Sequence, residues 1–217
     1  MSKINIFLGI FFILIFVFIF WFFSAYKENI SGKFFMKNDD KSLVNLSGGE
    51  QSGKSLIAVL KTNLGDIKIE FFEKDAPKTT ANFMKLSSEG FYNGARFHRV
   101  INGFMIQAGD PNSKDDDWLN DGTGGPGYQF EDELNPQAES YKAGYLKGVV
   151  AMANSGPDTN GSQFFIMLEN YPLPRNYTIF GKVVEGQDVV DKIGNLKTYE
   201  NDNPRGQATI NSVEVSR

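Results

Sequence analysis

The chain of 217 residues contains no cysteine and a single histidine, His98. Without Cys there is no disulfide, no thiolate nucleophile and no Cys-based zinc site. One His excludes a multi-His metal site. No Gly-x-Ser-x-Gly elbow is present, and a Ser–His–Asp set would have to be built on His98. Basic excess is missing too: 22 Lys and Arg stand against 26 Asp and Glu, a net charge of −4. That argues against nucleic acid as a partner, because counterion release needs a basic face. Hydrophobic residues make up 41% and charged residues 22%, an ordinary globular average. The average hides an uneven distribution, since eight of the 20 Phe lie in the first 23 residues.

Residues Ile4 to Phe23 form an uncharged run interrupted only by Asn5 and Gly9. As a helix rising about 1.5 Å per residue, 20 residues reach roughly 30 Å, enough to cross a hydrocarbon core. A cleaved signal has a shorter apolar region and small residues at the cut. Here Ala25 could precede a cut, but Phe23 sits where a second small residue belongs. Residues 1–23 are therefore read as an uncleaved membrane anchor. Residues 24–54 shift to Ser, Gly, Asn and Lys, with Gly48-Gly49 and Ser52-Gly53, and read as a flexible tether. Its root-mean-square span as a coil is about 30 Å.

Residues 55–217 carry the patterning of a folded domain. Leu56–Lys61 and Asp66–Phe72 are β-rich runs joined by a turn. Asp75 and Pro77 open a helix with Asp75 as the expected N-cap, and Gly90 ends it. Arg96–Ile101 and Phe104–Ala108 read as a hairpin around Asn102-Gly103, with both turn positions expected at positive φ. Alternation then puts Phe97 and Arg99 on one face and His98 on the other. Further strands are predicted at Leu146–Ala153, Gln163–Leu168, Tyr177–Val183 and Ala208–Val215, with a short helix at Gln187–Ile193. Many short strands with two helices indicate a mainly β, antiparallel, closed sheet.

Three segments invite chemical readings and do not sustain them. Gly122–Gly127 matches G-x-G-x-x-G, but acidic residues precede it instead of a buried strand, and Pro126 interrupts it. Asp115–Asp117 lacks calcium-loop spacing. Glu131-Asp132-Glu133 offers consecutive carboxylates that point in different directions and reads as structural. What remains is Arg99, a lone cation on a hairpin rich in Phe97, Val100, Ile101, Phe104, Met105 and Ile106. Such an Arg either pairs with a carboxylate or stands at the edge of an apolar pocket.

The stretch Phe97-His98-Arg99-Val100-Ile101-Asn102-Gly103-Phe104-Met105-Ile106-Gln107-Ala108-Gly109-Asp110 resembles the central signature of the cyclophilins. Met152–Pro157, Thr159–Ile166, Gly122–Gly125 and Phe180–Val183 fit the same family in the same order. The resemblance covers essentially everything after the tether. It implies an eight-stranded antiparallel barrel with two capping helices, and peptidyl-prolyl cis–trans isomerase activity on proline-containing polypeptides. It implies that Arg99 is the catalytic arginine, assisted by Gln107 and Phe104. It places Met105, Phe165, Leu173 and Tyr177 around the proline, and His98, Ala153, Asn154 and Gln163 at neighbouring substrate positions. Family members that bind cyclosporin tightly carry Trp near the position of Pro172, so weak cyclosporin binding is expected. Asn102 replaces a more usual Pro, and Leu173-Pro174-Arg175-Asn176 replaces a more typical Leu-Asp-Gly-Lys beside the pocket.

The residue types suit the reaction. Rotation about a peptide bond faces a barrier of roughly 18–20 kcal/mol because resonance gives C–N partial double-bond character. No covalent bond breaks, so no nucleophile, metal or cofactor is required. An Arg N–H aimed at the proline nitrogen binds the twisted state, where the lone pair returns, better than either planar state. A proline-peptide binding module or holdase without catalysis is the alternative, and it has less use for Arg99. One copy of the chain suffices for either. Lys and Arg flanking the apolar run favour a cytoplasmic C-terminal side, but long domains are translocated largely regardless of charge. The domain is expected outside the cytoplasm, since a cytoplasmic isomerase has no obvious need of an anchor.

Overall fold

The computed structural model describes residues 55–217. The anchor and the tether read from residues 1–54 lie outside the described residues. Among those described, no helix is long and apolar enough to cross a membrane.

Eight strands form one sheet: β1 Ile57–Thr62, β2 Gly65–Phe71, β3 Arg99–Ile101, β4 Met105–Ala108, β5 Val149–Met152, β6 Phe164–Met167, β7 Ile179–Glu185 and β8 Ile210–Ser216. Their spatial order is β3-β4-β6-β5-β7-β2-β1-β8, and the paired strands are antiparallel. The sheet curls, but it does not close by a ladder between β3 and β8. The two edges meet ahead of the strands proper, at an isolated bridge between Arg96 and Thr209. Phe97 N donates to Ala208 O and Ile210 N to Ala95 O, both at 2.8 Å. The expected closed barrel is thus a curled sheet with a laced seam.

Among the described residues three helices accompany it, where two were expected in the domain: α1 Pro77–Ser88, α2 Glu139–Ala143 and α3 Gln187–Gly194. The N-cap of α1 is Ala76, not Asp75, and it offers no side-chain cap. Glu133 does that from 54 residues away, accepting from Lys78 N at 3.0 Å and from Thr79 N and Oγ1 at 2.8 Å each. A carboxylate there meets both the orphan N–H groups and the positive end of the helix dipole. Asp75 accepts instead from Ser140 N of α2 at 3.0 Å. The structural reading of Glu131-Asp132-Glu133 agrees with these contacts. Glu131 pairs with Lys78, and Asp132 accepts from Asn160 Nδ2 at 2.7 Å.

Strand alternation sorts the apolar residues onto two faces. Ala58, Leu60, Ile67, Ile69, Val100, Ile106, Val150, Met152, Phe164 and Ile166 join Phe83 and Leu86 of α1 and Val190 and Ile193 of α3 in the main core. Phe83 is its hub, with ring centroids 4.9 Å from Tyr92, 5.4 Å from Phe164, 5.5 Å from Phe71 and 5.6 Å from Phe180. Met105, Val149, Ala151, Phe165, Met167 and Ile179 form a second cluster with Tyr145 on the opposite face.

The hairpin departs from its expected form. Ile101 pairs with Met105, leaving Asn102, Gly103 and Phe104 as the connection. Gly103 has φ of +70°, whereas Asp158 and Asp202 are the only non-glycine residues at positive φ among those described. With Phe104 N donating to Ile101 O at 3.0 Å, Asn102-Gly103 occupies a turn that needs positive φ only at its second central residue. Phe97 and Arg99 do not share a face. The strand starts at Arg99, so alternation does not extend back to Phe97, which is fully buried in the main core.

Candidate active site

The second apolar cluster underlies the site because the register places Arg99 beside it. Arg99 on β3 faces Gln107 on β4, Gln107 faces Phe165 on β6, and Phe165 faces Ala151 on β5. The next row runs Ile101, Met105, Met167. A cation, an amide and an aromatic ring therefore lie in one line across three strands, spanning two inter-strand gaps or about 10 Å. Phe104, Ala153, Leu173 and Tyr177 pack around this cluster, half-buried.

Arg99 is not consumed by a buried ion pair. Its side chain is 46% exposed, and Nε lies 3.4 Å from Asp202 Oδ2, which is itself exposed. That contact is at the outer limit of a hydrogen bond. It is the only ion pair of Arg99 among the described residues.

The amides are prearranged. Gln163 Nε2 donates to Gly122 O at 3.0 Å and to Gly124 O at 2.8 Å, and its Oε1 accepts from Gln107 Nε2 at 2.9 Å. Gln107 is thereby held with its donor turned towards Gln163. Asn154 Nδ2 donates to Asn176 O at 2.9 Å, tying the loop after β5 to the loop that carries Leu173 and Tyr177. A groove of about 870 Å³ runs alongside, lined by Gln107, Ala153, Asn154, Gln163 and the Gly122–Gln129 segment. It adjoins the apolar cluster and does not include Phe104, Met105 or Phe165. The apolar cluster and the polar groove are thus separate surfaces.

His98 lies apart from the apolar cluster. It is 5% exposed, and a Cβ built on Gly122 would stand 3.8 Å from its ring. Burial lowers its pKa, against the opposing pull of the Asp110 and Asp121 carboxylates. Neither ring nitrogen has a hydrogen-bond partner of good geometry. The side chain is buried beneath the Gly122 loop, so the substrate contact expected of it is not available in this arrangement. Asp110, fully buried, holds that loop by accepting from Gly122 N and Gly124 N. A Cβ at Gly124 would collide with the Asp110 carboxylate, which explains the glycine.

Three further residues border the site that the sequence did not single out. Tyr171 packs its ring on Phe104 with centroids 4.6 Å apart, giving the cluster an aromatic wall one residue before Pro172. Tyr145 Oη donates to Tyr177 O at 2.9 Å and accepts from Tyr177 N at 3.1 Å, fixing the Tyr177 backbone. Asp202 faces Arg99. Tyr171 had a local signal in its adjacency to Pro172; Tyr145 and Asp202 had none, being 32 and 103 residues from the partners they hold.

An exposed guanidinium thus stands in line with a partly uncovered apolar cluster, with fixed amides beside it. The family model for cyclophilin type peptidyl-prolyl cis-trans isomerase/CLD matches residues 57–215. A peptidyl-prolyl cis-trans isomerase A of Mycobacterium tuberculosis is 47% identical over 177 residues, 73% of this chain and 91% of that protein. A human peptidyl-prolyl cis-trans isomerase-like 1 is 46% identical over 149 residues, 67% and 83% of the respective chains. The crystal structure of a Cryptosporidium parvum cyclophilin type isomerase, in the presence of the dipeptide Ala-Pro, superposes with a TM-score of 0.65. It is 34% identical and covers 74% of this chain and 99% of that one. The chain belongs to the cyclophilin-type peptidyl-prolyl cis–trans isomerases.

Proposed function

We propose that Arg99 is the catalytic residue of this isomerase and that the Met105–Phe165 surface grips the proline ring. The single observation that carries this reading is the register that sets Arg99, Gln107 and Phe165 in one row with the guanidinium exposed. The ring sits on Phe165 and Met105, flanked by Phe104, Leu173 and Tyr177. Gln107 and Asn154 hold the backbone on one side of the bond while Ala153 and Gln163 shape the adjoining groove. With one side held, the other swings, and the imide nitrogen becomes pyramidal and basic midway. A guanidinium N–H then donates to it. The gain exists only in the twisted state, which is the condition for acceleration. Guanidinium suits this place because it stays charged and presents a planar fork of donors. A 10⁵-fold acceleration requires about 7 kcal/mol, within reach of one aimed donor combined with orientation.

In the cell, this activity assists folding of proline-containing chains whose X–Pro bonds otherwise isomerise in about 10–100 s. The domain works as a monomer and is tethered to a membrane by residues 4–23, on the outer side. The apolar composition of that run supports the anchor. Protease access to a C-terminal tag in intact cells tests the side: cleavage from outside is expected, and full protection overturns it. For the activity itself, a proline-peptide isomerisation assay on wild type and Arg99→Ala is decisive. Unchanged turnover in the variant overturns the assignment of Arg99.

A further inference from the structure

Trp118 and Leu119 are 49% and 77% exposed, and Tyr199, from a separate loop, is 49% exposed. The Trp118 and Tyr199 rings stack at 6.1 Å with planes 14° apart. The two loops are stitched by Asn203 Nδ2 donating to Asp121 Oδ2 at 2.9 Å. The platform is continuous with the site on both sides. Asp202, in the same turn as Tyr199, accepts Val100 N through its carbonyl at 2.8 Å and faces Arg99 with its carboxylate. Asp121 leads directly into Gly122, where the groove begins.

We propose that the open face of Trp118 is a subsite for a basic side chain of the substrate polypeptide, a few residues from the proline being isomerised. The proposal rests on the reading of Arg99 given above, which fixes where the proline lies. The chain already displays the mode of contact: the Arg205 guanidinium lies over the Tyr199 ring, 4.9 Å from its centroid. Tyr199 is thus covered by Trp118 and approached by a cation, while Trp118 itself stays half exposed. Charge selects the occupant. Asp115, Asp116 and Asp117 immediately precede Trp118. Among the described residues, Asp116 alone of the three is ion-paired, with Arg96. Glu200 adjoins Tyr199 in the chain. An aromatic face beside unpaired carboxylates attracts Lys or Arg by the ring quadrupole and by Coulomb attraction together, and it repels an acidic side chain. An extended peptide covers about 3.3 Å per residue, so a side chain two to five residues from the proline lies roughly 7–17 Å along the chain from it.

The test uses the full chain and four peptides with one X–Pro core: unextended, or extended on each side by arms bearing Ala, Lys or Glu. The expected result is a KM about two- to fivefold lower for the Lys arm than for the Ala arm, with kcat unchanged and the Glu arm weakest. Trp118→Ala is expected to turn over the unextended peptide like wild type and to lose most of the Lys-over-Ala preference, the carboxylates leaving a smaller, salt-sensitive Lys-over-Glu difference, while Trp118→Phe restores the preference. Raising salt to about 1 M, where the Debye length is near 3 Å, narrows the Lys-to-Glu ratio. Equal KM values for the extended peptides in wild type overturn the proposal, as does a Lys-over-Ala preference undiminished in Trp118→Ala. Failure of the catalytic reading registers separately, as unextended-peptide turnover that survives Arg99→Ala.

Discussion

The catalytic role proposed for Arg99 leaves it very little part in stability. Its ion pair with Asp202 joins two exposed groups across 3.4 Å, and such pairs contribute little. Arg99→Ala is therefore expected to lower kcat/KM by about 100-fold or more, the effect of removing one aimed donor, while the denaturation midpoint stays put. Arg99→Lys recovers only a small part, because a point ammonium lacks the planar fork. Isomerisation of a short proline peptide followed beside urea unfolding checks both halves. His98 has the opposite character, structural and titratable. Burial holds its folded pKa below the ordinary imidazole value of 6.5. As pH falls through that ordinary value, the unfolded chain takes up a proton that the folded chain refuses, so stability declines with falling pH. The decline stops once the folded imidazole also protonates. Its slope is at most about 1.4 kcal/mol per pH unit. Urea unfolding at pH 7.5 and at pH 5 should show a larger loss for wild type than for His98→Gln, which cannot titrate. Equal losses would place the acid sensitivity in carboxylates instead.

At the scale of elements, the helix ends are finished by residues far away in the chain. Glu133 closes the N-terminus of α1 with three hydrogen bonds, and Asp75 closes that of α2. Glu133→Ala is expected to cost about 1–2 kcal/mol in chemical denaturation, the range for a lost cap together with its dipole interaction. Thr79→Ser keeps the hydroxyl and should cost far less. These caps also mark where sequence reading reached its limit. Strand positions were legible because β-branched and aromatic runs alternate with polar residues, and all eight strands fall within a few residues of where the pattern puts them. Asp75 lies beside Pro77 and looks like the local cap, but a local rule cannot see a carboxylate arriving from residue 133. The Asn-Gly turn misled for a related reason: the dipeptide permits two positive φ values, while the ladder pairing Ile101 with Met105 calls for only one. Among the candidate site residues, Arg99 and Gln107 were legible as members of one hairpin, but a two-residue Asn102-Gly103 turn would set Arg99 opposite Ile106, and only the observed ladder sets it opposite Gln107. His98 was not, because its burial depends on a loop at Gly122, beyond the end of the hairpin at Ala108.

For the whole molecule, the two faces of one sheet divide the tasks. The face centred on Phe83 stabilises the fold, and the face centred on Phe165 stays partly uncovered because α1 and α3 pack on the other side. Family matching begins at Ile57, so the residues that match the isomerase family are those of the described domain. A chain cut to residues 55–217 retains both apolar clusters, the Arg99 row and the laced seam at Arg96 and Thr209. It is expected to isomerise a short proline peptide with kcat/KM within about twofold of the full chain, while moving from the membrane pellet to the soluble fraction. Activity depends on differential binding at the twisted bond, which the proposed anchor does not enter. The proposed membrane residence depends on burying about 20 apolar residues in hydrocarbon, which the domain does not replace. Fractionation of cells expressing each form, with the peptide assay run on both fractions, checks the two expectations together. A truncated chain that still sediments with membranes would move the anchoring surface onto the domain. Loss of turnover on truncation would make the first 54 residues part of the isomerase rather than its address.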